Sequence, residues 1–111
     1  MHELGLAEDI LRKIKEEAKV RSLSKVSYAR IKIGETLVTD QSELVELFSM
    51  VSTGTSAEGA KLDIVLSPLK AVCSKCKKEF NPKVIRFDCP SCGSNSINII
   101  SGKELLIEEL R

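Results

Sequence analysis

Apolar residues recur at helical intervals near the start of the chain: Ala7, Ile10, Leu11, Ile14 and Ala18 share one face. Glu8, Asp9, Arg12, Lys13, Glu16 and Glu17 fill the opposite face, with Glu8–Arg12 and Asp9–Lys13 spaced for i,i+4 pairing. The pattern predicts a helix over 4–20 and a loop over 21–24. The period then shortens. Residues 25–33 are rich in Val, Ile and Tyr, and Ala29, Ile31 and Ile33 alternate with Arg30 and Lys32 up to Gly34, as in a half-buried strand. Asp40 followed by Glu43 resembles a capping box. Leu44, Leu47, Phe48 and Val51 then form the apolar face of a second helix, which Gly54 ends. Leu62, Ile64 and Leu66 alternate with Asp63 and Val65 in a second strand closed by Pro68. Residues 104–110 are apolar enough for a third. Within it Leu105 and Ile107 point opposite to Leu106 and Leu110, so this strand is expected to be covered on both faces. The order α-β-α-β-insert-β predicts an α/β (α+β) fold: two helices packed on a small three-stranded sheet, with an inserted subdomain.

Length bounds this picture. The 111 residues make one domain, or one small domain carrying a smaller one. Aromatic residues are 4% and Trp is absent, so the core must be built from Leu, Ile and Val. No apolar run approaches the roughly 20 residues that a membrane span needs, and no membrane partner is expected. The start of the chain, with acids at Glu3, Glu8 and Asp9, reads as neither a secretory signal nor a transit peptide. A cytoplasmic location is therefore expected, where cysteines stay reduced.

Charge is uneven. Residues 1–68 carry nine basic and eleven acidic side chains, net −2, whereas 69–101 carry six against two, net +4. All four cysteines fall in that basic block. The composition changes at Ser67-Pro68 and again at Ser101-Gly102. The expected organisation is an outer domain of residues 1–68 and 102–111 with an inserted domain of residues 69–101.

Cys73-x-x-Cys76 and Cys89-x-x-Cys92 are separated by twelve residues, enough for a hairpin that brings the pairs together. Four thiolates near 2.3 Å from the metal, closed to water, are what structural Zn²⁺ asks for. Pro90 and Gly93 fit a tight turn around the second pair, with Gly93 free to take positive φ. The insert is therefore zinc-ribbon-like. An iron centre of the same type is compatible with the spacing. A thiol redox protein would want one Cys-x-x-Cys opening a helix after a strand, and two disulfides would suit a secreted chain. A zinc ribbon also suggests a nucleic-acid-binding module, the alternative reading. Zn²⁺ with four thiolates carries −2, however, which lowers the +4 of the insert to about +2. Only Phe80 and Phe87 are placed to stack on bases, and both suit the core of the ribbon equally well. With a total net charge of +1, broad phosphate-backbone binding is not expected. The Lys75, Lys77 and Lys78 cluster reads as a solvated turn or a docking patch for an acidic partner.

His2 is the only histidine. The α-amine of Met1, the deprotonated amide nitrogen of His2 and its imidazole Nδ1 close two fused chelate rings. This donor set is planar, which Ni²⁺ and Cu²⁺ favour and Zn²⁺ does not. It supplies three of four donors, and Glu3, water or a partner completes it. A bulky second residue also disfavours removal of Met1.

Several segments together resemble one family: Met1-His2-Glu3-Leu4, Ile31-Lys32-Ile33-Gly34-Glu35, Gly54-Thr55-Ser56-Ala57-Glu58-Gly59-Ala60, Cys73-Ser74-Lys75-Cys76, Cys89-Pro90-Ser91-Cys92-Gly93-Ser94 and Gly102-Lys103-Glu104-Leu105. In register from first residue to last, the chain resembles the hydrogenase maturation nickel metallochaperones of the HypA/HybF family. The resemblance implies a non-enzymatic protein with Ni²⁺ as cargo and Zn²⁺ as a resident ion. It implies His2 as the key nickel ligand, beside the Met1 amine and the Glu3 backbone or carboxylate, and zinc on Cys73, Cys76, Cys89 and Cys92. It implies delivery, with a nickel GTPase, to the large subunit of [NiFe]-hydrogenase, and for some members service to urease and its accessory proteins. A monomer or weak dimer is expected. The chain departs from the pattern at Gly5, where many members have Ser, and at Asp40-Gln41, where Pro-Glu is frequent. It also has no histidine beside its cysteine pairs.

Overall fold

The computed structural model describes residues 2–82 and 88–111, with the side chain of His2 outside the description. Lys83, Arg86 and Phe87, which belong to the basic block and the stacking pair read from the sequence, lie outside the described residues.

The first amphipathic segment forms α1, His2–Val20, two residues longer at its start than the apolar spacing predicts. Leu6, Ala7, Ile10, Ile14 and Ala18 are buried. The opposite face carries exposed pairs such as Asp9–Arg12 at 3.0 Å and Glu17–Arg21 at 2.9 Å, each worth well under about 1 kcal/mol. Strand β1, Tyr28–Gly34, starts three residues later than expected. Val26 is fully buried, but its N–H bonds Ser56 O at 2.8 Å, so this stretch docks on the turn after the second helix instead of extending the strand. A 3₁₀ turn at Glu35–Leu37 leads to α2, Gln41–Val51. Asp40 caps α2 as the sequence suggests, its Oδ1 accepting the Glu43 N–H at 3.0 Å. Leu44 and Phe48 are the buried residues of α2. Strand β2 is Lys61–Ser67.

Strand β3 (Lys70–Cys73), β4 (Glu79–Phe80) and β5 (Ile97–Ser101) follow, and β6 (Leu105–Leu110) ends the chain. They make two sheets. The first has order β2-β1-β6, with β1 parallel to β2 and antiparallel to β6. Ala29, Ile31, Ile33 and Leu62 from this sheet join the α1 and α2 residues in one core. The second has order β4-β3-β5 and is antiparallel. The architecture is α+β, two helices with two small sheets, as expected. Among the described residues no helix is long and apolar enough to cross a membrane.

The expectation that β6 is covered on both faces is not met, because Leu106 is 53% exposed. The register explains the misleading pattern. Arg30 faces Glu109 but Ile31 faces Ile107, so Glu108 is an extra, unopposed residue. Such a bulge reverses the side-chain phase. Leu105 and Ile107 on one side of it and Leu110 on the other therefore all turn toward the helices. The outer face holds polar contacts instead: Arg30 reaches Glu108 at 3.6 Å and Glu109 at 3.5 Å, and Tyr28 donates to Asp63 at 2.7 Å.

The chain passes between the sheets twice, and the two passages are bonded together. The Glu35 carboxylate accepts the Leu69 N–H at 2.6 Å. Gly34 N–H bonds Glu104 O at 2.7 Å, Thr36 bonds Gly102 O through N–H and hydroxyl, and Ser101 Oγ donates to Pro68 O at 2.7 Å. The Glu104 carboxylate accepts the Gly102 N–H at 2.7 Å. Bonds from its own N–H and that of Gly102 hold the Glu104 pKa below the ordinary carboxylate value. Two glycines permit the close approach. A Cβ on Gly34 would lie 2.0 Å from the Gly102 carbonyl, and Gly102 itself has φ +102 with Leu69 Cα 2.6 Å from its own Cβ position. The molecule is elongated, 52 × 27 × 16 Å.

Candidate metal centre

The four cysteines sit on two turns of the same construction. In the first, Lys77 N–H bonds Cys73 O at 2.9 Å and Cys73 N–H bonds Lys78 O at 3.0 Å; in the second, Gly93 N–H bonds Cys89 O at 2.9 Å and Cys89 N–H bonds Ser94 O at 2.7 Å. Each turn needs a left-handed residue right after its second cysteine. Gly93, with φ 74, fills that place as the sequence suggests, while in the other turn it is Lys77, with φ 64. The Lys77 role was missed. Its signal was positional, since Lys77 follows Cys76 as Gly93 follows Cys92.

The turns bring all four Sγ atoms within 4.8 Å of one another. Cys73–Cys92 and Cys76–Cys89 are each 3.7 Å apart. A tetrahedron with metal–sulfur bonds near 2.3 Å has sulfur–sulfur edges of about 3.8 Å, so the cluster fits Zn²⁺ in size and shape. Cys73 and Cys89 are buried, Cys76 and Cys92 exposed. Backbone amides face the buried sulfurs: Cys76 N–H lies 3.5 Å from Cys73 Sγ and Ser91 N–H 3.4 Å from Cys89 Sγ.

These amides prepare thiolates. The Cys76 amide, with that of Lys75, brings Cys73 down to about 6, and the Cys92 and Ser91 amides lower Cys89. Around Cys76 the Lys78 amide favours the thiolate, but loss of solvent and the neighbouring sulfurs outweigh it and push the thiol up to about 11. Four sulfurs this close do not all ionise unaided, and a divalent cation removes that conflict.

Of the other candidates, Met1, His2 and Glu3, the last two belong to α1, which packs on the first sheet. The Met1 residue and the His2 side chain lie outside the described residues. Glu3 is buried, 4% exposed, in the first turn of α1. Its Oε1 accepts the Thr39 hydroxyl at 2.8 Å and the Thr39 N–H at 3.3 Å. Thr39, just before the α2 cap, had no signal in the sequence.

A closed four-sulfur centre on one sheet and a helix start on the other suit a protein that carries metal rather than one that turns over a substrate. Comparison with known proteins bears this out. Residues 1–111 match a family described as hydrogenase/urease nickel incorporation, metallochaperone, HypA. A protein of Alkalilimnicola ehrlichii named hydrogenase maturation factor HypA is 38% identical, over 99% of this chain and 97% of its own length. Hydrogenase maturation factor HypA 2 of Bradyrhizobium diazoefficiens is 36% identical over the same shares. The solution structure of the Ni metallochaperone HypA from Helicobacter pylori superposes with a TM-score of 0.73 at 26% identity, covering 100% of this chain and 97% of that one. The chain belongs to the HypA family of nickel metallochaperones, which are maturation factors and not enzymes.

Proposed function

We propose that this chain binds Ni²⁺ at the start of α1 and hands it on during maturation of [NiFe]-hydrogenase, with service to urease and its accessory proteins as a second outlet. The ligands are the Met1 amine and the His2 amide nitrogen and imidazole, with the Glu3 backbone or carboxylate beside them. The observation that carries this reading is that α1 begins at His2. The amides of His2 and Glu3 therefore lie in the first helical turn, where N–H groups have no intrahelical acceptor. Their deprotonation onto a metal breaks no helix bond. Such a chelate forms by displacing protons from groups with reference values near 7.7–8.0 and 6.5, so nickel affinity falls in mildly acid solution. A partner takes the ion by supplying a ligand and displacing these donors one at a time. The partners proposed are a nickel GTPase and the hydrogenase large subunit, in the cytoplasm.

Residues 1–68 with 102–111 form the nickel domain in this reading, and residues 69–101 the zinc domain, with Zn²⁺ on Cys73, Cys76, Cys89 and Cys92. The ion there supplies folding free energy to a unit whose sheet is too small to hold alone. A family devoted to nickel incorporation gives no support to the nucleic-acid alternative.

Elemental analysis and nickel titration of untagged wild type and of His2→Ala test the proposal. Wild type is expected to hold one zinc and to bind nickel tightly; His2→Ala keeps the zinc and loses the nickel. Normal nickel binding by His2→Ala would move the site elsewhere. Serine at any of the four cysteine positions is expected to release zinc, and full zinc retention would remove that residue from the ligand set.

A further inference from the structure

The two cysteine turns are built alike, yet they fill one place differently. The residue after the second cysteine is left-handed in both, with φ 74 at Gly93 and φ 64 at Lys77. Glycine takes that conformation freely, whereas a lysine there is strained. No backbone bond accounts for the difference, since Lys77 N–H to Cys73 O and Gly93 N–H to Cys89 O are both 2.9 Å. Packing does not account for it either, because Lys77 is exposed. Lys75 and Lys78 are exposed as well, and the exposed Cys76 stands between Lys75 and Lys77. Arginines of the first unit are neutralised: Arg12, Arg21, Arg30 and Arg111 each lie between 2.9 and 3.6 Å from a carboxylate. Among the described residues the three lysines enter no such pair. The nearest acid in sequence, Glu79, belongs to β4 and is paired with Val72 of β3. A strained residue whose charge is left open to solvent asks for a function.

We propose that residues 74–78 form a docking surface for an acidic segment of a partner protein, with Lys77 held in its strained conformation to complete it. Lys75, Lys77 and Lys78 concentrate positive charge on a patch a few carboxylates long. The wider field agrees. Residues 69–101 carry +4, and residues 1–68 and 102–111 together carry −3, from −2 and −1. Zn²⁺ with four thiolates lowers the first figure to about +2 and leaves its sign. An acidic partner is therefore steered to the cysteine end of the elongated molecule. Carboxylates match this surface better than nucleic-acid phosphates do. Every basic residue described in the unit is a lysine, without the fork by which arginine grips a phosphate. Its described aromatic ring, Phe80, is half-buried in β4 and offers no open face for a base. The surface rests on the zinc reading above only in that the ion keeps the turn folded.

The test titrates zinc-loaded, isotope-labelled protein with a short polyglutamate peptide at low ionic strength, and separately with a single-stranded oligothymidine of equal charge. Amide shifts report where each probe binds, and zinc loss to a chelator reports the state of the turn. The proteins are wild type, Lys77→Gly, the double variant Lys75→Gln with Lys78→Gln, and Lys19→Gln, which removes an exposed charge from α1. In wild type the peptide is expected to give saturable shifts confined to residues 74–79 that fade as salt is raised. Lys77→Gly is expected to weaken the peptide about two- to fivefold while holding zinc at least as long as wild type, and the double variant to weaken it further. Lys19→Gln is expected to bind as wild type does. Unchanged affinity in Lys77→Gly overturns the proposal, and so does an equal loss in Lys19→Gln. Tighter binding of the oligothymidine than of the peptide overturns it in favour of a nucleic acid. Faster zinc loss from the lysine variants with peptide binding intact shows that the charges serve the metal centre instead, and also overturns it. Zinc content separates the two readings. A zinc-free wild type that binds the peptide through these lysines refutes the zinc reading and leaves the surface standing, whereas a zinc-loaded one whose residues 74–79 ignore the peptide refutes the surface alone.

Discussion

Replacing Gly34 by alanine sets two physical effects against each other at the junction between the sheets. Gly34 has φ −60 and ψ 136, a conformation open to any L residue. Backbone entropy alone therefore makes alanine stabilising by about 0.4–1 kcal/mol. Packing opposes it, because the new Cβ would sit 2.0 Å from the Gly102 carbonyl carbon and oxygen and 2.3 Å from Lys103 N. All three are backbone atoms, and an ordinary contact requires them to withdraw by more than about 1 Å. The retreat strains three bonds: Gly34 N–H to Glu104 O, and the Thr36 N–H and hydroxyl to Gly102 O. At about 1 kcal/mol each they outweigh the entropy gain and leave a net loss of about 2 kcal/mol. For a chain of this length that lowers the melting temperature by roughly 8 °C. Gly5 supplies the control. It lies within α1 with nothing within 4 Å of its Cβ position, so alanine there raises stability by roughly 0.5–1 kcal/mol. Thermal unfolding of the zinc-loaded proteins, with hydrogen exchange at residues 34 and 36, reads both signs. A Gly34→Ala protein that melts at or above wild type with both amides still protected would refute the packing argument.

Three further outcomes follow from the same geometry. Lys77→Gly relieves a left-handed residue and should stabilise the cysteine unit by about 1 kcal/mol, seen as slower zinc loss to a chelator; faster loss would show that the Lys77 side chain contributes more than its backbone costs. Asp40→Ala removes the α2 cap and should cost about 1 kcal/mol in urea unfolding, with Asp40→Asn close to wild type. Glu104, whose folded pKa lies below its ordinary 4.5, contributes stability that is present above pH 4.5 and lost as pH falls through the depressed value. Glu104→Gln should therefore flatten the acid limb of the stability profile in that window, and an unchanged limb would remove Glu104 as its source.

Periodic segments were readable from the residues alone. Ile10, Ile14 and Ala18 mark α1 because a long helix repeats its signal many times, and Asp40 marks the start of α2 because capping is local chemistry. The cysteine cluster was equally plain, since four identical ligands at fixed spacing have few other uses. What stayed hidden depends on distant partners. The bulge at Glu108 is invisible until β6 lies against β1, and it scrambles the alternation that would have sorted Leu106 from Ile107. Strands β3 and β4 are four and two residues long, too short to show a period. Val26 looks like strand and is buried like strand, yet its N–H is taken by Ser56 across the fold. The bonds from Thr39 to Glu3 likewise exist only once α1 lies against the turn before α2.

The order of strands in the first sheet has a consequence for how the protein is made. Its central strand, β1, pairs on one side with β2 and on the other with β6, and the whole cysteine unit is synthesised between those two events. During translation the helical core therefore waits with one flank of β1 open until the last residues emerge. Joining β6 to β1 closes a long loop, and a floppy loop makes that closure slow and entropically costly. If the cysteine unit has gathered around an ion, it presents residue 102 next to residue 69, and the loop would be short before β6 arrives. Metal held by the cysteine unit would then speed the step in which β6 closes the first sheet, with no signal passing through the finished structure.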